Sequence, residues 1–311
     1  MSEMIHPPTH VWGAPEFPLG GRLPKDLRAV ENNHRLQMAE ARAYQRSADA
    51  NGRRRYFACC HALHVSLFFD GTNNNESNDA KKGHPSNIAR LYHASIQDDE
   101  ARGHGYFSYY IPGVGTPFPK MGELDYSKEG LKYARGGENR INWALMRIVS
   151  ALSFAVTNDE IEDEPARASV LAMATAMVPA MPSFVGRTRR RDEIEKWLAP
   201  LRLKMQQRPP QPQPLSLKLY VYGFSRGAAE ARTFVTWLSE LFETPEGADK
   251  PEQTLLGLPV SVEFLGVLDT VASVGIAHAV PFFAGHMDWA DDTQLLPDPT
   301  RFPGLIKQCR H

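Results

Sequence analysis

Four runs of the chain are apolar or aromatic and stop abruptly at a turn. They are His64 to Phe69 before Asp70-Gly71-Thr72, Phe107 to Ile111 before Pro112-Gly113, Leu217 to Tyr222 before Gly223, and Val260 to Leu268 before Asp269-Thr270. Each is short, rich in β-branched or aromatic residues, and closed by a turn former, which predicts buried strands. Between them the apolar period lengthens to that of a helix. Asn87 to Gln97 places Ile88, Leu91 and Tyr92 on one face, and Gly130 to Val156 carries the stripe Ile141, Ala144, Leu145, Ile148, Leu152 and Val156. Asp192 to Gln207 repeats the pattern with Ile194, Trp197, Leu198 and Leu201. A helix from the third run to about Phe242 aligns Ala228, Ala231, Phe234, Val235, Leu238 and Leu241. Strands alternating with helices predict an α/β fold with a mainly parallel central sheet flanked by helices.

Two regions depart from this alternation. Residues 1–60 are polar and Pro/Gly-rich at first, pass through a helical stretch near Leu27 to Arg46, and reach the basic cluster Arg53-Arg54-Arg55. They read as an N-terminal arm, or equally as a leader without structure. A single α/β domain is expected over residues 61–311, interrupted by residues 157–215. That interruption begins acidic, becomes Ala- and Met-rich over residues 166–185, turns basic at Arg187 to Arg191, and ends in the stiff Pro-rich connector Arg208 to Pro214. Met173, Met177 and Met181 are four residues apart. Such flexible side chains suit a lid-like or membrane-facing insertion beside a lipid site, but a helix packed on the domain is the favoured reading. The basic run reads as a solvated face, with anionic headgroups as the sharper alternative.

Composition narrows the function classes. A net charge of -1 offers no field for nucleic acid. Three cysteines, two of them adjacent, exclude a disulfide framework and fit reduced thiols. The N-terminus lacks the basic start and apolar core of a secretory signal, and no apolar run reaches the roughly 18 residues of a spanning helix.

The chemistry gathers at Gly223-Phe-Ser225-Arg226-Gly227, directly after the third apolar run and before the Ala-rich helix. This is the G-x-S-x-G elbow, in which a sharp turn lifts a serine clear of a sheet. The turn brings the residues two before and two after the serine together, so Gly223 and Gly227 stand where only small residues fit. A serine hydroxyl attacks only when a base takes its proton and a carboxylate orients that base. In the chain order Ser, acid, His, the acid is Asp269, at the end of the next strand. The downstream histidines are His278, His286 and His311. His278 lies too near the acid in sequence to be attractive, and spacing does not choose between His286 and His311. An oxyanion hole needs the backbone N–H of Arg226 and a second donor. The Asp70-Gly71-Thr72 turn, where Gly71 lets backbone approach substrate, is the first candidate for it and Gly113 to Gly115 the second. Asp70 with the neighbouring asparagines shows no metal-ligand spacing, so neither metal nor cofactor is expected.

Taken in order, FFDGTNNN, YYIPGVGT, YVYGFSRGAAEAR and FLGVLDTVASVG resemble the α/β-hydrolase domain of type VI secretion phospholipase effectors, formerly a domain of unknown function. The resemblance runs from about residue 62 to the end, with residues 157–215 divergent. It implies an α/β-hydrolase fold, a Ser-Asp-His triad, and a phospholipase A that degrades rival bacteria's membranes, with the sn-2 ester preferred over sn-1. It also implies a secretion-spike protein and a cognate immunity protein as partners. Synthesis in the cytoplasm without a signal peptide and delivery to the target periplasm or membrane follow from the same resemblance. The family's Gly-His-x-x-Trp segment corresponds to Gly285-His286-Met-Asp-Trp289, and its second His aligns with His311. That alignment favours His311 as the base, with His286 the alternative. The family continues past this His with a helix, so a chain ending there reads as a fragment or as a truncated gene product. Another serine carboxylesterase or lipase, or a truncated non-catalytic binding module, is the competing reading.

Overall fold

Alternation along the first apolar run decides which way the sheet faces. In β1 (Cys60–Phe69) the side chains of Leu63, Val65, Leu67 and Phe69 are fully buried, whereas His64 and Ser66 are half-buried. The computed structural model of the chain describes residue 28 and residues 60–174, 183–207, 213–245, 247, 250–271, 289 and 296–311. The chain divides into two units, Met1–Ala58 and Cys59–His311. All elements below belong to the second, and the expected arm helix near Leu27 to Arg46 lies outside the described residues, apart from Arg28.

The other strands are β2 (Tyr106–Ile111), β3 (Gln213–Phe224), β4 (Thr254–Leu255), β5 (Leu258–Leu268) and β6 (Cys309–Arg310). They form one sheet in the order β2-β1-β3-β5, with β4 and β6 both paired to β5. Every pairing is parallel except the short β4–β5 hairpin. The four predicted runs therefore lie side by side and parallel, as the strand–helix alternation requires. The two-residue strands β4 and β6 carry too little pattern to be read from sequence.

The helices are α1 (Asn87–Ala94), α2 (Asp99–Gly103), α3 (Lys128–Tyr133), α4 (Gly137–Thr157), α5 (Asp163–Met173), α6 (Ser183–Gln206) and α7 (Arg226–Glu240). Their ends follow local chemistry. Ser86 caps α1 by accepting from the Ala89 N–H at 3.0 Å. The expected extension to Gln97 fails because Ser95 turns extended and its hydroxyl donates to the Tyr92 carbonyl at 2.6 Å. The long helix expected from Gly130 is broken into α3 and α4 by Ala134 and Gly136, both left-handed, at φ 56° and 90°.

One face of the sheet, with Leu63, Val65, Leu67, Leu217, Leu219, Val221, Val262 and Leu265, packs on α4 and α7 to form the core. On the other face α1 covers part of an aromatic layer in which Phe68 stacks on Tyr222 at 5.1 Å and Tyr222 meets Phe264 at 5.5 Å. Within the interruption, α5 and α6 pack on α4, burying Ala166, Val170, Met173, Ile194, Leu198 and Leu201 in the same core. Met177 and Met181 lie outside the described residues. The basic run keeps the expected solvated face at Arg187 and Arg191, which are exposed, but not at Arg190. Arg190 is buried, with its guanidinium 3.5 Å above the Trp237 ring and 3.1 Å from Glu240, and Arg191 donates to the Phe242 carbonyl at 2.9 Å. Among the described residues no helix is long and apolar enough to cross a membrane.

Candidate active site

The strand order sets the site. Reading across the sheet, β1 ends in Asp70-Gly71-Thr72, β3 in Ser225, β5 in Asp269 and β6 in His311. All four lie at the C-terminal edge of parallel strands, where loops of α/β sheets gather ligands. The register is tight: Phe69 pairs with Gly223, Phe224 with Leu268, and Gly266 with Arg310. Residues from four separate stretches thus meet on one edge.

Ser225 sits between β3 and α7 at φ 55° and ψ −121°. A non-glycine residue in this region is strained by about 1–3 kcal/mol and persists only where its surroundings impose it. They do so here. The Ser225 N–H donates to the Leu268 carbonyl at 2.9 Å, and the Val271 N–H donates to the Ser225 carbonyl at 3.2 Å. The hydroxyl is not used to cap α7. The two elbow glycines are sterically required. A Cβ on Gly223 would lie 2.5 Å from the Gly227 carbonyl oxygen, and a Cβ on Gly227 would lie 2.4 Å from that of Asp70.

Asp269 is exposed and also has positive φ, at 45°. It falls between the two residues, Leu268 and Val271, that hydrogen-bond to Ser225. His311 is exposed beyond β6, with its Nε2 3.7 Å from Cys309 Sγ. His286 lies outside the described residues. Arg226 is the first residue of α7, so its backbone N–H has no acceptor within the helix. Its side chain is partly buried and donates to the Leu131 carbonyl at 2.6 Å.

Gly71 is packed from both sides. A Cβ there would lie 2.5 Å from Phe224 Cδ1, and one on Gly113 would lie 1.8 Å from the Gly71 carbonyl oxygen. The two candidate oxyanion loops therefore touch each other. In this conformation the Gly71 N–H is engaged by Asp70 Oδ1 at 2.7 Å and the Gly113 N–H by the Asn74 carbonyl at 3.0 Å. The Thr72 hydroxyl next to Gly71 is buried with no hydrogen-bond partner among the described residues.

Asp70 carries a role that its sequence position did not reveal. Only 1% exposed, it accepts from Ser86 Oγ at 2.5 Å and from Tyr110 OH at 2.6 Å, besides Gly71. Burial raises its pKa while these hydrogen bonds pull it down. The carboxylate ties the β1 loop to α1 and β2. Arg140 does the same for the β2 loop. Fully buried in α4, it donates to the Pro112 and Thr116 carbonyls at 2.7 and 3.1 Å and pairs with Glu123 at 2.9 Å. The signal for Arg140 was a charged residue inside an apolar helical stripe, four positions before Ala144. Among the described residues no group of three or more His, Cys, Asp or Glu side chains could hold a metal ion.

Residues 64–241 match the model of the type VI secretion phospholipase effector family, Tle1-like catalytic domain. The chain belongs to that family. No curated protein matches it. It is similar to a solved structure, described as an uncharacterized protein from Pseudomonas aeruginosa, with 41% identity and a TM-score of 0.73. The match covers 95% of this chain and 40% of that one. The family's matched span includes the Asp70 loop, the β2 loop, Arg140 and the elbow with its helix, and stops before Asp269 and His311.

Proposed function

We propose that the domain has the α/β-hydrolase fold and is a serine phospholipase A, acting on membrane phospholipid carboxyl esters through Ser225, Asp269 and a histidine base. The observation that supports this reading is the strained Ser225, held by backbone hydrogen bonds on both sides of Asp269. His311 is the proposed base because β6 runs beside β5 and delivers it to the same sheet edge as Asp269; His286 is the alternative. The base takes the proton from Ser225 Oγ as that oxygen attacks the ester carbonyl carbon. The negative oxygen of the tetrahedral intermediate accepts from the Arg226 N–H and from the Gly71–Thr72 turn. Collapse breaks the bond to the glycerol oxygen, which leaves with the proton from the histidine. Water, deprotonated by the same histidine, then hydrolyses the acyl-serine and releases fatty acid.

Family membership supports the remaining parts of the proposal. The enzyme is an antibacterial effector whose sn-2 ester is preferred. It is carried by a secretion spike to the periplasm or membrane of a rival cell and neutralised in its own by an immunity protein. The catalytic domain spans residues 61–311. The test is release of fatty acid from phospholipids labelled separately at sn-1 and sn-2, with fluorophosphonate labelling of Ser225. Labelling lost in Ser225→Ala, with hydrolysis lost in parallel, is the expected result. Hydrolysis undiminished in Ser225→Ala would overturn the serine mechanism.

A further inference from the structure

The nucleophile helix holds a carboxyl group that these steps do not use. Glu230, four residues after Arg226 on α7, is fully buried, and neither carboxyl oxygen has a hydrogen-bond partner among the described residues. An ionised carboxylate in such a place is strongly disfavoured. Burial pushes its pKa up to about 8; Arg140 from α4 and Arg226 from its own helix pull it down, and Glu123 from the loop before α3 raises it.

The two cations differ in what they have left to give. Arg140 donates through Nε to Pro112, through Nη1 to Gly136 and Glu123, and through Nη2 to Gly113 and Thr116. Arg226 uses Nη2 on the Leu131 carbonyl, while its Nη1 is buried with no partner among the described residues. Residues four apart on a helix share a face. Arg226 Nη1 is therefore the donor that an ionised Glu230 would take. The Arg226–Leu131 bond is also the clasp between the elbow and α3. Ser127, Lys128 and Glu129 at the start of α3 line a cleft of about 960 Å³ together with Glu123 and Arg135.

We propose that Glu230 is a positioning residue for the reaction at Ser225: protonated, it leaves Arg226 clasped to α3; ionised, it draws the guanidinium onto itself and loosens the elbow from the cleft wall. This rests on the serine-esterase reading of the site. The wild-type protein is expected to lose kcat/KM on phospholipid vesicles above about pH 8, chiefly through KM. Glu230→Gln, neutral and of the same shape, lacks that fall. At one pH unit above the titration it exceeds wild type about tenfold, and below pH 7 the two are equal. Glu230→Leu is a second variant with the same pH-flat profile. An unchanged alkaline limb in both variants, or a flat wild-type profile, overturns the proposal.

Absence of fluorophosphonate labelling at every pH would mark failure of the serine reading instead, and thermal unfolding then decides the role of Glu230. Its folded pKa lies above the ordinary 4.5, so its stabilising contribution is complete below about pH 4.5 and is lost as pH rises through about 8. Wild type should lose stability relative to Glu230→Gln across that window and run parallel above it. Curves parallel throughout would refute a buried proton.

Discussion

The Val271 amide donates to the Ser225 carbonyl at 3.2 Å, which fastens the loop after β5 to the elbow after β3. With the Ser225 N–H bonded to Leu268, the elbow holds the Asp269 turn from both sides. Two non-glycine residues with positive φ, Ser225 and Asp269, thus support each other at the ends of adjacent strands. Neither would be stable there alone.

Replacing the proposed nucleophile separates chemistry from folding. Ser225→Ala should lower ester hydrolysis by about 10⁴–10⁶-fold. Its thermal midpoint should stay within roughly 2 °C of wild type, because no buried contact is removed. Asp269→Asn should lower kcat by about 10⁴-fold while KM holds, since it misorients the base without touching substrate. Initial rates at saturating vesicle concentration test both, and an Asp269→Asn protein with full kcat would transfer the acid's role to another residue.

The elbow glycines should behave as folding residues. Gly227→Ala places a methyl group 2.4 and 2.5 Å from the backbone oxygens of Asp70 and Phe69, so β1 or α7 must move. Overpacking of this kind costs about 1–3 kcal/mol, or about 2–4 °C of melting temperature per kcal/mol. Gly103→Ala, where nothing lies within 4 Å and φ is not positive, is the control and should not lower the melting temperature. Equal melting temperatures for the two variants would contradict the packing described.

Asp70→Ala should destabilise the protein by about 2–4 kcal/mol, because it leaves the Ser86 and Tyr110 hydroxyls without their acceptor in a buried place. Asp70→Asn keeps one carbonyl acceptor and should cost less. Urea unfolding midpoints give the order, wild type above Asn above Ala. Since the same carboxylate holds the Gly71 turn, the Ala variant should also label more slowly with fluorophosphonate.

Arg140→Met removes a buried cation while leaving Glu123 and three loop carbonyls behind. Glu123 is half-buried and reaches water, so the loss comes chiefly from carbonyls left without a donor, at about 1–3 kcal/mol each. Chemical denaturation should show that loss, and a variant as stable as wild type would mean that the loop is held by other contacts.

Much of the scaffold was legible because it depends on local periodicity. His64 to Phe69 and Val260 to Leu268 alternate or run apolar and end at turns, and the parallel sheet followed from the helices between them. The elbow was legible for the same reason. Gly223, Ser225 and Gly227 are neighbours in sequence, and their roles are set by the backbone of one turn. Asp70 and Arg140 were not legible as loop clamps, because their partners come from Ser86, Tyr110, Pro112 and Thr116 on other elements. Within the basic run Arg187 to Arg191, Arg190 alone is buried, for a related reason. Arginine can bury its stem and stack on an aromatic ring, and the ring that Arg190 finds is Trp237, 47 positions away.

The four long strands, the apolar stripes of the main helices and the strained turn are encoded by the spacing of residues a few positions apart. Only long-range packing set which loops share the edge with Ser225, that the Gly71 N–H is held by Asp70, and that Glu230 is buried with no hydrogen-bond partner for its carboxyl oxygens among the described residues. Those outcomes depend on strand order and on desolvation, and both arise when segments far apart in the chain pack together.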